Sequence, residues 1–181
     1  DKTMTNSDAK PGDVLLLTKP IGIGVPSSAN KADMLSKAGQ DLIYSLMTTL
    51  NKAARDAMVK YDVHACTDVT GFGLIGHTYE MASGSDTEIT LNVNDIDLIP
   101  EALELARMGI LPAGMYRNRT YAEHAVDAGD TELAKQDMLF DPQTAGGLLI
   151  AVAEKDADAL MNDLRGAVPS AQRIGYVSEY Q

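Results

Sequence analysis

A short apolar segment at residues 63–66 leads through a glycine-containing turn into a helical pattern that reaches Met81 and closes near Gly84. The apolar run has the length and composition of a strand. Glycines at 71 and 73 permit the sharp turn that precedes the helix. A strand and a helix joined in this way each leave an apolar face that other elements must cover. The unit therefore predicts a layered domain built from both strands and helices.

Strand patterns recur along the remainder of the chain. Apolar runs predict strands at residues 14–17, 148–152 and around 173–177. Ile89, Leu91 and Val93 alternate with polar residues, which is typical of a strand with one exposed face, either antiparallel or at a sheet edge.

Helical patterns alternate with these strands. The clearest lies at residues 40–61, and others lie at 100–108, where Pro100 begins the helix and Gly109 follows it, and around 157–164. The segment after Gly24 and the segment 111–120 are expected to be loops, with weaker helical pieces up to Met138. The alternation predicts an α/β layer sandwich.

The composition is that of one globular domain with a strongly acidic surface. The chain has 181 residues, of which 45% are hydrophobic, so a single core of ordinary size is available. The formal net charge of −11 disfavours binding to nucleic acids and to acidic lipid surfaces. An anionic ligand must therefore be held by backbone amides, a few arginines or a bridging cation.

The cysteine count and the N-terminal segment favour a cytoplasmic location. Cys66 is the single cysteine and cannot form an internal disulfide, so a reducing compartment is the simplest interpretation. No apolar run is long enough to span a membrane, and the polar N-terminus is unlike a signal peptide. We interpret residues 1–12 as the remnant of an interdomain linker and residues 13–181 as the domain.

Asp68 lies where the predicted strand ends and the glycine-containing turn begins, a position at which α/β sheets commonly bind ligands. A carboxylate there can bind Mg²⁺, which prefers oxygen ligands and often bridges one or two carboxylates to phosphates. Thr67 and Thr70 offer further oxygens, while Gly71 and Gly73 allow a ligand to approach the backbone closely. The alternative is an N-cap role, which is more common for Asp or Thr before a helix.

A second interpretation of the same turn is a dinucleotide-binding fingerprint. Gly71, Gly73 and Gly76 match the spacing G-x-G-x-x-G, and Asp95 follows about twenty residues later. This alternative, an NAD- or FAD-dependent oxidoreductase domain, ranks second because the next strand alternates in polarity. Asp68 would also repel a pyrophosphate unless a cation lay between them.

For the other residues that could act as ligands or catalysts, the sequence favours structural roles. His64, His77 and His124 have no partner at metal-ligand spacing, and His77 can simply face solvent. Cys66 is interpreted as a small buried hydrophobic residue. Asp95 and Asp97 precede a helix that begins with proline, where such residues usually make turns and caps. Two arginines, Arg117 and Arg119, can contact a phosphate, although an exposed loop of this kind is more often only solvated.

Three segments, at residues 10–22, 64–77 and 141–149, together resemble the C-terminal domain of selenophosphate synthetase, also called selenide, water dikinase. The first two resemble, more loosely, the wider ATP-using superfamily that includes aminoimidazole ribonucleotide synthetase. The Asp-Pro-Gln-Thr segment that begins at Asp141 and the Arg117-Asn118 pair favour selenophosphate synthetase. Ala145 stands where many members have serine, and no chemical consequence is expected.

The resemblance implies an α/β (α+β) fold, a three-layer α/β/α domain with partial ferredoxin-like topology. It implies a separate N-terminal domain that forms a homodimer and most of the ATP site. The implied enzyme is a Mg²⁺-dependent transferase that makes selenophosphate, AMP and phosphate from ATP, selenide and water. Another ATP-using member of the superfamily remains an alternative.

The resemblance also assigns roles to residues. It implies that Asp68 is a metal ligand, and we expect the cofactor-binding residues to be Thr67, Thr70, Gly71, Gly73 and Asn118. The reactive Cys or selenocysteine and the lysine of the family belong to an N-terminal segment that this sequence does not contain, and Cys66 is not that residue. We therefore expect this chain to fold, to bind Mg²⁺ weakly and to have no activity alone.

Overall fold

The computed structural model describes residues 4–180, which contain five strands and eight α-helices. The strands are β1 (Val14–Leu17), β2 (Val63–Asp68), β3 (Thr87–Leu91), β4 (Leu148–Val152) and β5 (Gln172–Glu179). The helices are α1 (Gly24–Asn30), α2 (Lys37–Thr48), α3 (Lys52–Met58), α4 (Gly73–Ser85), α5 (Pro100–Arg107), α6 (Ala113–Ala122), α7 (Leu133–Phe140) and α8 (Glu154–Ala167). Short 3₁₀ turns occur at Val93–Asp95 and Glu123–Ala125.

The strands form one sheet in the order β2-β4-β1-β5-β3. Every neighbouring pair in that order is antiparallel. Strand β3 is both antiparallel and at an edge, as its alternating sequence predicts, and Ile89 pairs with Val177 of β5. A doubly wound dinucleotide-binding fold needs parallel strands. The alternative based on Gly71, Gly73 and Gly76 is therefore wrong.

Alternate residues of β1 face opposite layers of helices. Val14 and Leu16 pack with residues of α3 and α8, whereas Leu15 and Leu17 pack with residues of α4 and α6. Side chains along a strand point alternately to the two faces of the sheet. Because helices cover both faces, β1 and β4 are buried along their whole length, which explains their continuous apolar sequences. The predicted three-layer arrangement is confirmed.

A third apolar cluster joins α1, α2, α5 and α7 beside the sheet. Its buried residues include Val25, Ile43, Ala102 and Met138, one from each helix. The cluster brings the start of α1 close to the end of α7. The loop after α7 can therefore contact the loop before α1, and this contact builds the candidate site.

The predicted helix at residues 40–61 is wrong in one respect, because the chain forms two helices with a break between them. The ammonium group of Lys19 donates hydrogen bonds to the carbonyl oxygens of Leu46 and Thr49, at 2.9 and 2.7 Å. Thr49 itself is extended, with ψ of 117°. A buried cation that takes the last carbonyls of α2 ends that helix, since those groups have no partner within the helix.

Two segments that were expected to be loops are helices, α1 and α6. Helix α1 begins where the amide of Gly24 donates to the carboxylate of Asp141, 117 residues later in the sequence. Helix α6 buries only Met115, Asn118 and Ala122. The polar residue in the middle of this face hides the helical period. Both errors arise because a distant contact, or a buried polar side chain, stabilises the helix.

Several boundaries differ slightly from those expected. Helix α4 ends at Ser85, where Asp86 adopts the left-handed conformation with φ of 54°, rather than at Gly84. Val93 lies in a 3₁₀ turn instead of extending β3. The longest helix in residues 4–180, α8, has 14 residues, and none of the helices there is long and apolar enough to cross a membrane.

The polar segment before β1 packs against the domain from residue 4 onward. The backbone amide of Cys66 donates to the carbonyl oxygen of Thr5 at 2.8 Å, on the outer side of β2. Ala9 is buried in the core, and its amide donates to the hydroxyl of Ser85. Residues 4–12, interpreted above as linker, therefore contribute contacts to the fold, whereas residues 1–3 of that interpretation lie outside the described part of the chain.

Candidate functional site

The three segments that carry the resemblance meet at one end of the sheet. The amide of Val69, just after β2, donates to the carbonyl oxygen of Gly147 at 2.8 Å. The amide of Gln143 donates to the carbonyl oxygen of Thr70 at 3.0 Å. These bonds attach the loop before α4 to the loop before β4, so the turn at residues 67–73 has a fixed position.

Gln143 also connects the loop before α1. Its Oε1 accepts hydrogen bonds from the amides of Gly22 and Ile23, at 3.1 and 3.2 Å. Its Nε2 donates to the carbonyl oxygen and the Oδ2 atom of Asp141. A single buried side chain therefore links segments more than 100 residues apart in the sequence.

Asp141 is a buried carboxylate at the start of α1. Its Oδ2 accepts from the amide of Gly24 at 2.7 Å, whereas its Oδ1 has no hydrogen-bond partner within residues 4–180. Burial raises the pKa of Asp141 to about 7, although backbone amides of Gly24 and Val25 and the amide of Gln143 act in the opposite direction. Desolvation of the charged form outweighs these hydrogen bonds.

Lys19 supports the same loop from the other side. Its buried ammonium group donates to the carbonyl oxygen of Ala145 at 2.7 Å, in addition to the two carbonyls at the end of α2. Burial lowers the pKa of Lys19. Three hydrogen bonds use all three donors of the ammonium group, so this lysine has a structural role and does not face a ligand.

Asn118 holds the turn from the side of α6. Its Nδ2 donates to the carbonyl oxygens of Gly71 and Phe140, at 2.8 and 2.9 Å, and the side chain is buried. Asn118 is one of the predicted cofactor-binding residues. In this structure its amide group is occupied in fixing the backbone on which a ligand would rest.

Asp68 is the last residue of β2, and its side chain is exposed. Its carboxylate has no hydrogen bond or ion pair with any residue between 4 and 180. The first residue before α4 is Phe72, and no side chain caps that helix. The N-cap alternative for Asp68 is therefore wrong, and the carboxylate is free to bind a cation.

The residues present fit one part of a Mg²⁺ site rather than a whole one. Within residues 4–180, no three His, Cys, Asp or Glu side chains converge on a point that could hold a metal. Thr67 donates its hydroxyl to the carbonyl oxygen of Asp68 at 3.2 Å. Among residues 4–180 the chain therefore offers the free carboxylate of Asp68 as one candidate ligand for a Mg²⁺ ion.

The two glycines of the turn differ in the space that a side chain would meet. Gly73 has φ of 72°, and a Cβ atom there would lie 2.8 Å from the carbonyl carbon and oxygen of Phe140. A Cβ atom on Gly71 would have no heavy atom within 4 Å. The fold requires glycine at position 73, whereas Gly71 faces open space in which a ligand can approach.

A cavity of about 560 Å³ opens beside the turn. Its lining consists of Thr70, Gly71, Phe72, His77, Gly114, Arg117, Asn118 and Pro142. The cavity thus contains three of the six predicted site residues, namely Thr70, Gly71 and Asn118. Gly73 packs behind it, and neither Thr67 nor Asp68 contributes to its wall.

His77 is buried in the cavity wall, so the expectation that it faces solvent is wrong. Its Nδ1 lies 3.1 Å from Oε2 of Glu80, and its Nε2 lies 3.3 Å from the hydroxyl oxygen of Thr70. The ring of Phe72 packs edge-on against it at 5.7 Å between centroids. Glu80 therefore fixes the orientation of the imidazole, which in turn holds Thr70.

The remaining candidates have structural partners. His64 bonds to Asp13 at 2.8 Å. Burial raises the pKa of the Cys66 thiol to about 12, in agreement with its interpretation as an unreactive residue. Arg119 pairs with Asp137 and lies over the ring of Phe140. These three side chains are thus engaged in contacts within the fold.

Two acidic residues and a histidine complete the predicted candidates. Asp95 belongs to a 3₁₀ turn, and the amide of Asp97 donates to Oε1 of Gln172. His124 lies 3.5 Å from the hydroxyl of Tyr79. The interpretation of Asp95 and Asp97 as turn residues agrees with these positions.

Sequence reasoning missed the residues that build the site, which are Lys19, Asp141, Gln143 and Glu80. Their signal was present, because the first three lie within the segments that carry the resemblance and are polar residues flanked by Pro or Gly. All three are buried. A buried polar residue next to a chain reversal usually satisfies distant backbone groups.

The chain is a helix-covered antiparallel sheet with a loop-built site at one end, and its sequence places it in a class of domains related to aminoimidazole ribonucleotide (AIR) synthase. Residues 10–181 match the family described as AIR synthase related protein, C-terminal domain. The chain belongs to this family.

Within the family the chain is similar to proteins named selenide, water dikinase. It is 48% identical over 167 residues to the protein of Treponema denticola, 46% over 180 residues to that of Clostridioides difficile, and 46% over 182 residues to that of Caldanaerobacter subterraneus subsp. tengcongensis. These matches cover 92%, 98% and 100% of the chain, but only 47%, 51% and 53% of the relatives. The chain spans about half the length of these curated relatives. The resemblance to the selenophosphate synthetase C-terminal domain is confirmed.

Solved structures support the fold. The chain superposes on the hydrogenase maturation protein HypE of E. coli with a TM-score of 0.70 at 17% identity, covering 99% of this chain and 47% of that one. It superposes on thiamine monophosphate kinase from Aquifex aeolicus with a TM-score of 0.64 at 12% identity, covering 100% of this chain and 52% of that one. The predicted fold class is confirmed, and these distant likenesses extend to the fold alone.

Proposed function

We propose that this chain is the C-terminal domain of an ATP-dependent selenide phosphotransferase, which makes selenophosphate, AMP and phosphate from ATP, selenide and water. The observation that carries the proposal is the identity of 46 to 48% to three proteins named selenide, water dikinase, over nearly the whole chain. The segments that carry the resemblance also build the loops around Asp68. The residues to which the proposal assigns roles therefore lie in and beside these loops.

ATP is the proposed nucleotide substrate. Structural neighbours include HypE in complex with ATP, at a TM-score of 0.62, and a thiamine monophosphate kinase with AMPPCP, also at 0.62. Thr70 and Gly71 line the cavity beside the turn and are the described residues best placed for nucleotide contacts. The roles of Thr67, Gly73 and Asn118 are proposed as support for this turn.

Mg²⁺ is the proposed cofactor, with Asp68 as its ligand from this domain. When bound, Mg²⁺ neutralises charge on phosphate oxygens and aligns them for transfer. Asp68 contributes one carboxylate oxygen, and its position at the end of β2 is fixed by the ladder to Leu148. The net charge of −11 makes a bridging cation the natural way for this surface to hold a polyphosphate.

The rest of the enzyme supplies what this domain lacks. We propose an N-terminal domain that carries the reactive Cys or selenocysteine and most of the ATP site, which accords with the half-length match to the relatives. Selenide as co-substrate, a homodimer and a cytoplasmic location belong to the same proposal. Neither nucleic acid nor a membrane is a proposed partner.

The central test replaces Asp68 in the full-length protein. Asp68→Asn keeps the size of the side chain and removes its charge, and we expect at least a hundredfold loss of selenide-dependent AMP formation with an unchanged unfolding midpoint. Asp158→Asn, an exposed acidic residue on α8, serves as the matched control. Full turnover by the Asp68 variant would overturn the proposed metal role. An inactive wild-type protein, with selenide, ATP and Mg²⁺ present, would overturn the proposed reaction.

A second test uses the 181-residue chain alone. We expect no selenide-dependent ATP consumption and only weak Mg²⁺ binding by calorimetry, because Asp68 is one ligand and a Mg²⁺ site with a single protein carboxylate depends on phosphate oxygens. Addition of the missing N-terminal half should restore turnover. Robust activity of the chain without that half would contradict the divided site.

A further inference from the structure

An apolar stripe on α2 lies open to solvent in the described part of the chain. It consists of Leu42 and Leu46, which are about one helical turn apart, and Leu50, which follows the end of the helix. We call these three residues the leucine stripe. Leu42 and Leu50 are 41% and 76% exposed, and Leu46 is half-buried. The stripe therefore leaves apolar area in water, and a contact that buried this area would gain free energy.

The leucine stripe belongs to a segment without charge. Residues 42–51 contain no Asp, Glu, Lys or Arg, although these residue types make up 23% of the chain. The exposed side of α8, by contrast, carries Glu154, Lys155 and Asp158, as a helix face in water usually does. Charged residues are depleted in the cores of protein interfaces. The composition of residues 42–51 is therefore that of a contact surface.

Leu50 has a fixed position although its side chain is exposed. The carbonyl oxygen of Thr49 accepts a hydrogen bond from the ammonium group of Lys19. On the other side, Nδ2 of Asn51 donates to the carbonyl oxygen of Gly146 at 2.9 Å. Both neighbours of Leu50 are thus bonded to the scaffold. A side chain that is presented on a fixed backbone needs little ordering when a partner docks, and this favours binding.

Leu50 lies at the same end of the sheet as Asp68. The loop that bonds to Asn51 continues to Gly147, whose carbonyl oxygen accepts from the amide of Val69 at 2.8 Å. Val69 directly follows Asp68. The exposed leucine and the free carboxylate are therefore attached to one loop. A body that rests on the leucine stripe has a defined position relative to Asp68.

The segment before β1 runs toward this end of the sheet. The amide of Ala9 donates to the hydroxyl of Ser85, at the end of α4 that is far from the turn. The carbonyl oxygen of Thr5 accepts from the amide of Cys66, two residues before Asp68. Between these contacts the segment follows β2 toward the candidate site. A half of the protein that precedes this segment would be attached at the end of the sheet where the leucine stripe lies.

The size of the leucine stripe favours a partner in the same polypeptide. Two exposed leucines and one half-buried leucine offer far less than the roughly 800 Å² per partner that a stable complex of separate proteins buries. A domain in the same polypeptide needs less area, because the linker keeps it at an effective concentration of about millimolar or above. The relatives provide such a domain, since this chain covers only 47 to 53% of their length.

We propose that the leucine stripe is the docking surface for the N-terminal half of the protein, with Leu50 as its main apolar contact. The inference rests on the proposed function for the presence of that half, and it adds the place at which the half contacts this domain. Because Leu50 and Asp68 are attached to one loop, docking at the leucine stripe brings the ligands of the N-terminal half into line with Asp68.

Hydroxyl-radical footprinting with mass spectrometry tests the contact, because the oxidation rate of a leucine side chain follows its exposure. The comparison is between the 181-residue chain and the full-length protein. Oxidation of Leu42 and Leu50 should be at least fivefold slower in the full-length protein. Leu133, which is 64% exposed on α7, should change less than twofold. Equal rates at Leu50 in the two proteins would overturn the proposal.

Matched leucine variants test whether the contact aligns the two halves. In the full-length protein, Leu50→Ser should raise the oxidation rate of Leu42 toward that of the 181-residue chain and lower selenide-dependent AMP formation at least tenfold. Leu50→Met, which keeps an apolar side chain, should change neither quantity more than twofold, and Leu133→Ser is the matched control with the same expectation. Full protection of Leu42 in Leu50→Ser would overturn the role of Leu50.

Further outcomes separate this proposal from its alternatives. Protection of Leu42 and Leu50 that grows with the concentration of the 181-residue chain would identify a second copy as the occupant and overturn the N-terminal half. If the full-length protein makes no AMP from ATP and selenide, the proposed reaction fails, yet the footprint still decides docking. If the full-length protein is active while Leu50 stays as reactive as in the 181-residue chain, docking alone fails. If Leu50→Ser does not fold, the footprints of the two unchanged proteins decide.

Discussion

The side-chain amide of Asn118, in the middle of α6, donates a hydrogen bond of 2.8 Å to the carbonyl oxygen of Gly71. This bond attaches α6 to the turn before α4. The same amide group reaches the carbonyl oxygen of Phe140 at 2.9 Å. One side chain therefore fixes both the turn and the end of α7. The carbonyl oxygens of Thr70 and Gly71, in the turn that carries the candidate site, therefore both accept hydrogen bonds from groups of the fold.

Replacement of Asn118 should lower stability as well as any ligand affinity. Asn118→Leu leaves the buried carbonyl oxygen of Phe140 and the partly buried one of Gly71 without their donor, and we expect a loss of about 2 to 4 kcal/mol in the free energy of unfolding. Urea unfolding followed by circular dichroism measures this value. Asn162→Leu, at an exposed position of α8, is the matched control and should change stability by less than about 0.5 kcal/mol. A similar effect in both variants would contradict the role of the two hydrogen bonds.

The two glycines of the turn should respond in opposite ways to the same substitution. Gly73→Ala places a Cβ atom in the left-handed region and against Phe140, so we expect a loss of at least about 2 kcal/mol. Gly71→Ala should keep stability within about 0.5 kcal/mol, since its Cβ atom meets no protein atom within 4 Å. Thermal unfolding measures both. Gly71→Ala should nevertheless weaken binding of Mg-ATP by the full-length protein, and unchanged binding would show that the nucleotide stays away from the turn.

The buried carboxylate of Asp141 should make stability depend on pH. Its pKa is raised to about 7 from the usual 3.8, so between these values the folded chain holds a proton that the unfolded chain has lost. Stability therefore decreases as pH rises from about 4 to about 7, and it has no further dependence on this group above that range. Asp141→Asn removes this contribution.

Urea unfolding at several pH values between 4 and 8 measures the effect of Asp141. The stability of the unchanged chain relative to Asp141→Asn should fall across that window and then level. Asp130→Asn, at an exposed loop position, should run parallel to the unchanged chain throughout. A constant difference between the Asp141 variant and the unchanged chain would contradict the raised pKa.

The single thiol should react slowly while the chain is folded. Burial raises the pKa of Cys66 to about 12, so at pH 8 only on the order of one thiol in ten thousand is ionised. We expect labelling by a disulfide reagent to be at least about a hundredfold slower in buffer than in denaturing urea. Absorbance of the released thiolate measures both rates. Comparable rates would show that β2 opens readily or that the thiol is exposed.

The elements that sequence patterns predicted are those whose information is local. Strands β1 and β4 are continuous apolar runs buried on both faces, and α5 lies between Pro100 and Gly109. The period of the apolar residues and the residues that flank the segment are sufficient to predict such elements. The position of Asp68 at the end of a strand was predicted for the same reason.

The missing parts depend on contacts between residues far apart in the sequence. No local pattern shows that Lys19 ends α2, or that Asp141 provides the acceptor at the start of α1, because the partners are 27 to 117 residues away. A polar residue beside proline, such as Gln143, signals a buried hydrogen-bonding role, but the sequence does not show which distant backbone groups Gln143 and Asn118 contact. Distances in the structure, rather than residue types in the sequence, show which side chains stabilise the fold and which are free to contact a ligand.

The hydrogen bond from Cys66 to Thr5 has a practical consequence for anyone who trims this domain. Strand β2 lies at an edge of the sheet, and on that open edge the carbonyl oxygen of Thr5 accepts a hydrogen bond from the amide of Cys66. A shortened protein that starts at Asp13 would leave the amide of Cys66 without its acceptor and would lack Ala9, which is buried in the core. Such a protein would be prone to self-association through its unprotected margin, so the safe place to cut lies before Met4.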